Sequence, residues 1–219
     1  MAGTFSRWIV LFPLTMLALS VMATPALADI VVMPDTTWRE KTWKSGTRFT
    51  DTTFDGKPAL AVEADSAGSL KTTSVNIDLK HYPLIDFFWA AQSSLRHQDE
   101  RTQAGNDFAT RVLVLLQDSD GRRGSINYVW SSSQPVGAWL DSPYSTSRML
   151  VVQSGIAQSS HFSHIARNLL TDAQVGLGFK EPQVTSIAIM SDTDQTGEKT
   201  QAWYGRIRFV EPSREAPTS

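Results

Sequence analysis

The run FATRVLVLLQ at residues 108–117, then DSDG at 118–121 and SINYVWS at 125–131, reads as two strands folded back across a tight polar turn. Asp, Ser and Gly in the middle favour a turn because their short side chains bond the local backbone and Gly tolerates positive φ. The same grammar extends outward in both directions. Leu60, Val62 and Ala64 share one face of a short strand entered through Asp55-Gly56. Thr73, Val75, Ile77 and Leu79 alternate with Ser74, Asn76 and Asp78, and Leu84–Ala91 (LIDFFWAA) is apolar enough for a central strand. Downstream, Arg148–Gln153, Val184–Met190 and Ala202–Val210 read as further strands. The helical candidate is Arg167–Gly176, where Leu169, Leu170, Ala173 and Val175 form one apolar face and Gly176 and Gly178 supply a stop. Eight or nine strands separated by turn signals predict an all-β fold, an antiparallel β-sandwich of jelly-roll type with one short helix.

The two ends read differently. Arg7 is the only charge before an apolar run from Trp8 to Val21, and Ala26-Leu27-Ala28 offers small residues where a signal peptidase needs them. Residues 1–28 are therefore expected to be a cleaved signal peptide, residues 29–210 a single β-sandwich domain, and residues 211–219 a disordered tail. The expected location is periplasmic or secreted, with no membrane insertion after cleavage. Twenty basic and 22 acidic side chains among 219 residues argue against a nucleic-acid partner, which needs a basic face. The absence of cysteine removes disulfides, thiolate nucleophiles and zinc–cysteine knots.

Several short motifs stand in order: Gly105–Val112 (GNDFATRV), Ile126–Trp130 (INYVW), Pro135-Val136-Gly137, Ser142-Pro143-Tyr144, Arg167-Asn168 and Ile187–Gly197 (IAIMSDTDQTG). Together they resemble a secreted bacterial family of unknown function, number 3047, from about Trp43 to Phe209. The resemblance implies an exported β-rich domain with no established activity, and its layout is similar to galactose-binding-like sandwiches. It departs at Phe87-Phe88-Trp89-Ala90, where the resemblance implies a Trp-x-Trp strand carrying a basic residue.

Asp107 and Arg111 are four apart, so on a regular strand they project to one face, where they either orient a sugar hydroxyl or a carboxylate or form a structural ion pair at the sheet surface. The same alternation puts Tyr128 and Trp130 together, with Asn127 and Val129 on the other side. Six tryptophans follow the leader, and about two-thirds of them are expected in the core. Trp139, in the loop-rich stretch 131–147, is the best placed as a ligand platform. The expected site thus combines Asp107, Arg111, Tyr128, Trp130 and Trp139. The loop Asp192–Gly197 starts like a calcium loop, but Trp203 stands where an EF-hand needs Glu, so it reads as a polar hairpin turn or an irregular structural calcium site on Asp192 and Asp194. His161 and His164 read as a solvated pair, and no nucleophile elbow or phosphate cradle is visible. These residues favour a noncatalytic module for a saccharide or other small polar envelope ligand, without a cofactor. The alternatives are a carbohydrate hydrolase or lyase on the same scaffold, which would need two carboxylates facing one cleft, and an envelope interaction or assembly protein.

Overall fold

The computed structural model describes residues 29–32, 37–93, 95–96, 99–143 and 146–212. The signal-peptide expectation, His97, Tyr144 and the tail from residue 213 lie outside them. Thirteen strands form in chain order: β1 Ile30–Val32, β2 Arg39–Lys44, β3 Thr47–Phe54, β4 Lys57–Asp65, β5 Gly68–Asp78, β6 Leu84–Ser93, β7 Arg111–Gln117, β8 Arg123–Ser131, β9 Trp139–Asp141, β10 Ser147–Ser154, β11 Ser163–Asn168, β12 Gln183–Asp192 and β13 Lys199–Val210. One sheet runs β11-β6-β13-β4-β3, with β1 added to β13, and the other runs β2-β5-β12-β7-β8-β10-β9. Pairing is antiparallel apart from β8 with β10. This is the jelly-roll sandwich read from the alternation, with a single α-helix, α1 Leu169–Leu177, and one 3-10 turn, Gln103–Gly105, among the described residues.

Local chemistry explains the well-marked elements. Asp55 and Gly56 both take positive φ, 51° and 69°, the backbone that lets a two-residue turn follow the twist of β3 and β4. Between β7 and β8, the Asp118 carboxylate accepts from the backbone N–H groups of Asp120 and Arg122 and from the Arg122 guanidinium. The side chain of Asn168 caps α1 by accepting from Thr171 N–H, and Gly178 ends it in the left-handed region at φ 64°.

Two boundaries and five strands differ from expectation. The strand expected from Phe108 begins at Arg111, so Asp107 stands in the preceding loop. Arg167 lies in β11 instead of opening the helix, because residues 163–168 pair with β6 from Ser163 opposite Trp89 to Asn168 opposite Leu84. Strands β1, β2, β3, β9 and β11 carry too little apolar alternation to be read from sequence, and β2 is exposed along its whole length.

The core lies between the sheets. Phe87, Trp89, Ile85, Tyr204 and Phe209 from one sheet meet Val112, Val114, Ile126, Tyr128 and Ile187 from the other. Each such large side chain contributes roughly 1.5–3 kcal/mol by leaving water. Tyr128 donates to Asp172, which Arg167 holds through two nitrogens, so the phenol that enters this core is paired.

Candidate functional site

The seven-stranded sheet has an inner face, lined by Val112, Val114 and Leu116 of β7, and an outer face carrying Arg111, Leu113 and Leu115. Register places Met190, Ala188 and Ser186 of β12 opposite those three, and Leu70 and Thr72 of β5 beyond. At the Arg111 end of this outer face opens a cavity of about 350 Å³, bounded by Trp43, Gln103, Arg111, Asp192, Asp194 and Gln195.

Each wall has a local cause. Trp43 sits at the bulge where β2 meets β5, and its indole lies over Gly68 so closely that a Cβ there would stand 2.2 Å from Nε1. Only glycine permits that approach. The indole N–H points to Asp194 Oδ2 at 3.4 Å, while the ring remains nearly half exposed. Arg111 opens β7 with its guanidinium 4.7 Å from the Phe108 ring centre, donating from Nη2 to both Asp192 oxygens at 3.0 and 3.3 Å and to the Asn106 carbonyl. Its Nε is buried without a partner. Asp192 also accepts from Phe108 N–H, and burial pushes its carboxyl up to about 7, Arg111 opposing the rise and Asp107 adding to it.

Asp107 stands behind the cavity. Its carboxylate accepts from Gln195 N–H, Thr196 N–H and the Thr196 hydroxyl, and so ties down the turn that carries Asp194 and Gln195. Oxygens of Asp107, Asp192 and Asp194 lie within 4.8 Å of one another, the convergence a cation would need. Yet donors already serve them: a guanidinium stands against Asp192, and backbone amides take Asp107. A calcium ion prefers six to eight free oxygens, so this trio fits one poorly.

The remaining expected residues lie elsewhere. Tyr128 is in the core, Trp130 is buried with its N–H given to the Gly155 carbonyl, and Trp139 packs over Gly176 of α1 and against Ile126. None of the three lines this cavity. Among the tryptophans, Trp38, Trp89 and Trp130 are buried and Trp139 and Trp203 half-buried. Trp43, Gln103 and Gln195 were missed; a lone indole in the charged strand REKTWK was the one available sign of Trp43.

A second, larger depression of about 600 Å³ lies on the outer side of the other sheet. Its rim is made of the solvated pairs Arg48–Glu63 and Lys199–Asp65. Exposed pairs of this kind hold no fixed geometry at low cost, whereas the Arg111–Asp192 pair is buried and oriented.

Among solved structures, the family 30 carbohydrate-binding module of the cellulosomal cellulase Cel9D-Cel44B of Clostridium thermocellum superposes with a TM-score of 0.51 at 10% identity, over 85% of this chain and 99% of the module. The xyloglucanase domain of NopAA, a type three effector from Sinorhizobium fredii in complex with cellobiose, gives 0.44 at 9% identity over 84% and 99%. The first likeness speaks for the sandwich fold alone. No curated protein matches the chain. Residues 36–208 match the family described as "Protein of unknown function (DUF3047)", and the chain belongs to that family.

Proposed function

We propose that this protein is an exported, noncatalytic saccharide-binding module, and that the Trp43–Arg111 cavity is its binding site. The observation that carries the reading is the half-exposed Trp43 indole held beside the fixed polar group Arg111–Asp192–Asp194. An aromatic face suits the apolar side of a sugar ring, and oriented carboxylate and guanidinium groups suit its hydroxyls. The fold likeness to a carbohydrate-binding module agrees with it, and the leader-like residues 1–28 support export.

A thermal-shift screen of the chain from Asp29 against defined glycans tests this, because a ligand that binds only the folded state raises Tm by mass action. At least one glycan class should raise Tm, Trp43→Ala should abolish the rise, and EDTA should leave the baseline unchanged. No rise with any glycan, or an undiminished rise in Trp43→Ala, overturns the reading.

A hydrolase or lyase reading has one observation in its favour, the approach of Asp192 and Asp194 within 4.8 Å in one cavity. Retaining glycosidases hold their two carboxyl groups at a comparable spacing, about 5–5.5 Å. Against it, Arg111 and Phe108 N–H occupy both Asp192 oxygens. Release of reducing ends, lost in Asp194→Asn, would establish this second reading in place of the first.

A further inference from the structure

We infer that the ligand is a linear anionic glycan, several sugar residues long, lying along the outer face of the seven-stranded sheet from Trp43 to Arg123. The inference rests on the saccharide reading of the Trp43 cavity and extends it to ligand length and charge.

Two cavities lie on this one face. The first is bounded by Trp43 and Arg111; the second, about 440 Å³, by Leu115, Gln117, Arg123, Ser125 and Thr185. Both are built on β7, whose outward residues run from Arg111 through Leu113 and Leu115 to Gln117. Six residue steps of strand separate the two ends, roughly 20 Å. A monosaccharide fills one cavity and leaves the other empty, whereas an oligosaccharide reaches both.

The strip between them is open and uneven in chemistry. Leu70, Thr72, Leu113 and Ser186 are half-buried and Leu115 is exposed, giving apolar patches interleaved with hydroxyls, while Ala188 keeps the floor low. Thr72 and Ser186 bond each other across β5 and β12, which fixes those hydroxyls.

Beyond the Trp43 cavity, the charge along the strip is of one sign. Register puts Arg39 opposite Thr72 and Lys41 opposite Leu70, on the outer side of edge strand β2, and Arg123 opposite Gln117 at the far end. No carboxylate among the described residues forms an ion pair with any of these three cations. Of the acids at the Trp43 end, Asp192 is matched by Arg111, while the Asp194 carboxylate accepts from the Trp43 indole and the Gln195 amide and Lys44 donates to its backbone carbonyl. Cations on an edge strand also discourage sheet-to-sheet pairing, but that role does not explain Arg123, which lies in the interior of the sheet's strand order.

Calorimetric titration with oligogalacturonates of two, four and six residues, and with cellohexaose, tests this. Affinity should rise about tenfold or more from the dimer to the hexamer, weaken with added salt, and exceed that for cellohexaose. Leu115→Glu, in mid-strip, should cancel the gain of the hexamer while leaving the dimer unchanged. Arg123→Ala, which removes no core contact, should do the same in part and serves if Leu115→Glu fails to fold. Affinity independent of chain length, or cellohexaose bound as tightly as the hexagalacturonate, overturns this inference, and Trp43-dependent binding of any short sugar would still leave the cavity reading standing. Loss of all saccharide binding overturns both.

Discussion

The outer face of the seven-stranded sheet has two halves that start from the same alternation and finish differently. On β8 and β10, Val129, Met149 and Val151 point outward and are fully buried, because Phe108 and Leu140 cover them in a second small core. On β7, β12 and β5, the outward Leu113, Leu115 and Leu70 stay partly or wholly in contact with solvent. The covering segment of the first half is tied down by polar groups. Glu100 accepts from Ser131 and Ser132, and Asn106 donates to the Glu100 carbonyl and to Met149 Sδ. No comparable segment covers the second half among the described residues. One half spends its apolar surface on stability, and the other leaves it available to a ligand.

The sharpest way to break this contrast is Phe108→Ala. Phe108 is wholly buried at the centre of the covered half, and a Phe-to-Ala change at such a site costs about 3–5 kcal/mol through lost transfer and a residual cavity. Urea unfolding should show that loss. A cost below about 1 kcal/mol would mean the covered half is not a packed core. The variant should also weaken saccharide binding, since Arg111 loses the ring it stacks on.

Gly68→Ala tests the join between covering and binding. The added methyl must displace the Trp43 indole, and overpacking of this kind costs about 1–3 kcal/mol where neighbours cannot give. Trp43 is half exposed and can swing out, so the low end of that range is expected, together with loss of glycan binding. Retained binding would show that the indole position over Gly68 does not matter.

How much of this could be read beforehand follows from which forces leave a trace in sequence. The β7–β8 hairpin was legible because alternation and turn chemistry are local. Arg111 was legible as the one charge in an apolar run, and Asp192 and Asp194 as an acidic turn. Parity correctly paired Tyr128 with Trp130, but it does not say which face of a sheet turns inward, and both entered the core. Asp107 kept its neighbourhood but not its strand, since the ladder begins four residues later at Arg111. Trp43 was hidden because β2 is held by register with β5 and not by burial. A strand made by pairing alone has no hydrophobic period to read.

Glu100→Gln probes the clamp through pH. Burial raises the Glu100 carboxyl above the ordinary glutamate value, opposed by the bonds from Ser131, Ser132 and Ser133. The folded state therefore holds this proton more tightly than the unfolded chain. The stabilisation is complete below about pH 4, the ordinary glutamate range, and is lost as pH rises through the raised value. Stability of the wild type relative to Glu100→Gln should consequently fall as pH rises above about 4. Parallel urea curves check it, and a difference that stays constant as pH rises above about 4 would show that burial does not hold the proton on Glu100.

The smallest stability change should come from Trp43→Ala, and its smallness is the informative part. The indole is nearly half exposed, and its polar contact is a 3.4 Å approach to Asp194. Substitutions at such sites stay within about 0.5 kcal/mol, so Tm should hardly move in the absence of ligand. If the open half exists for binding, the same variant loses the glycan-induced rise in Tm entirely. A large tryptophan retained where it contributes little to the fold is then accounted for by what it touches outside the chain. If instead Trp43→Ala destabilises as much as Phe108→Ala, the two halves of the sheet are one core, and Trp43 belongs to its packing.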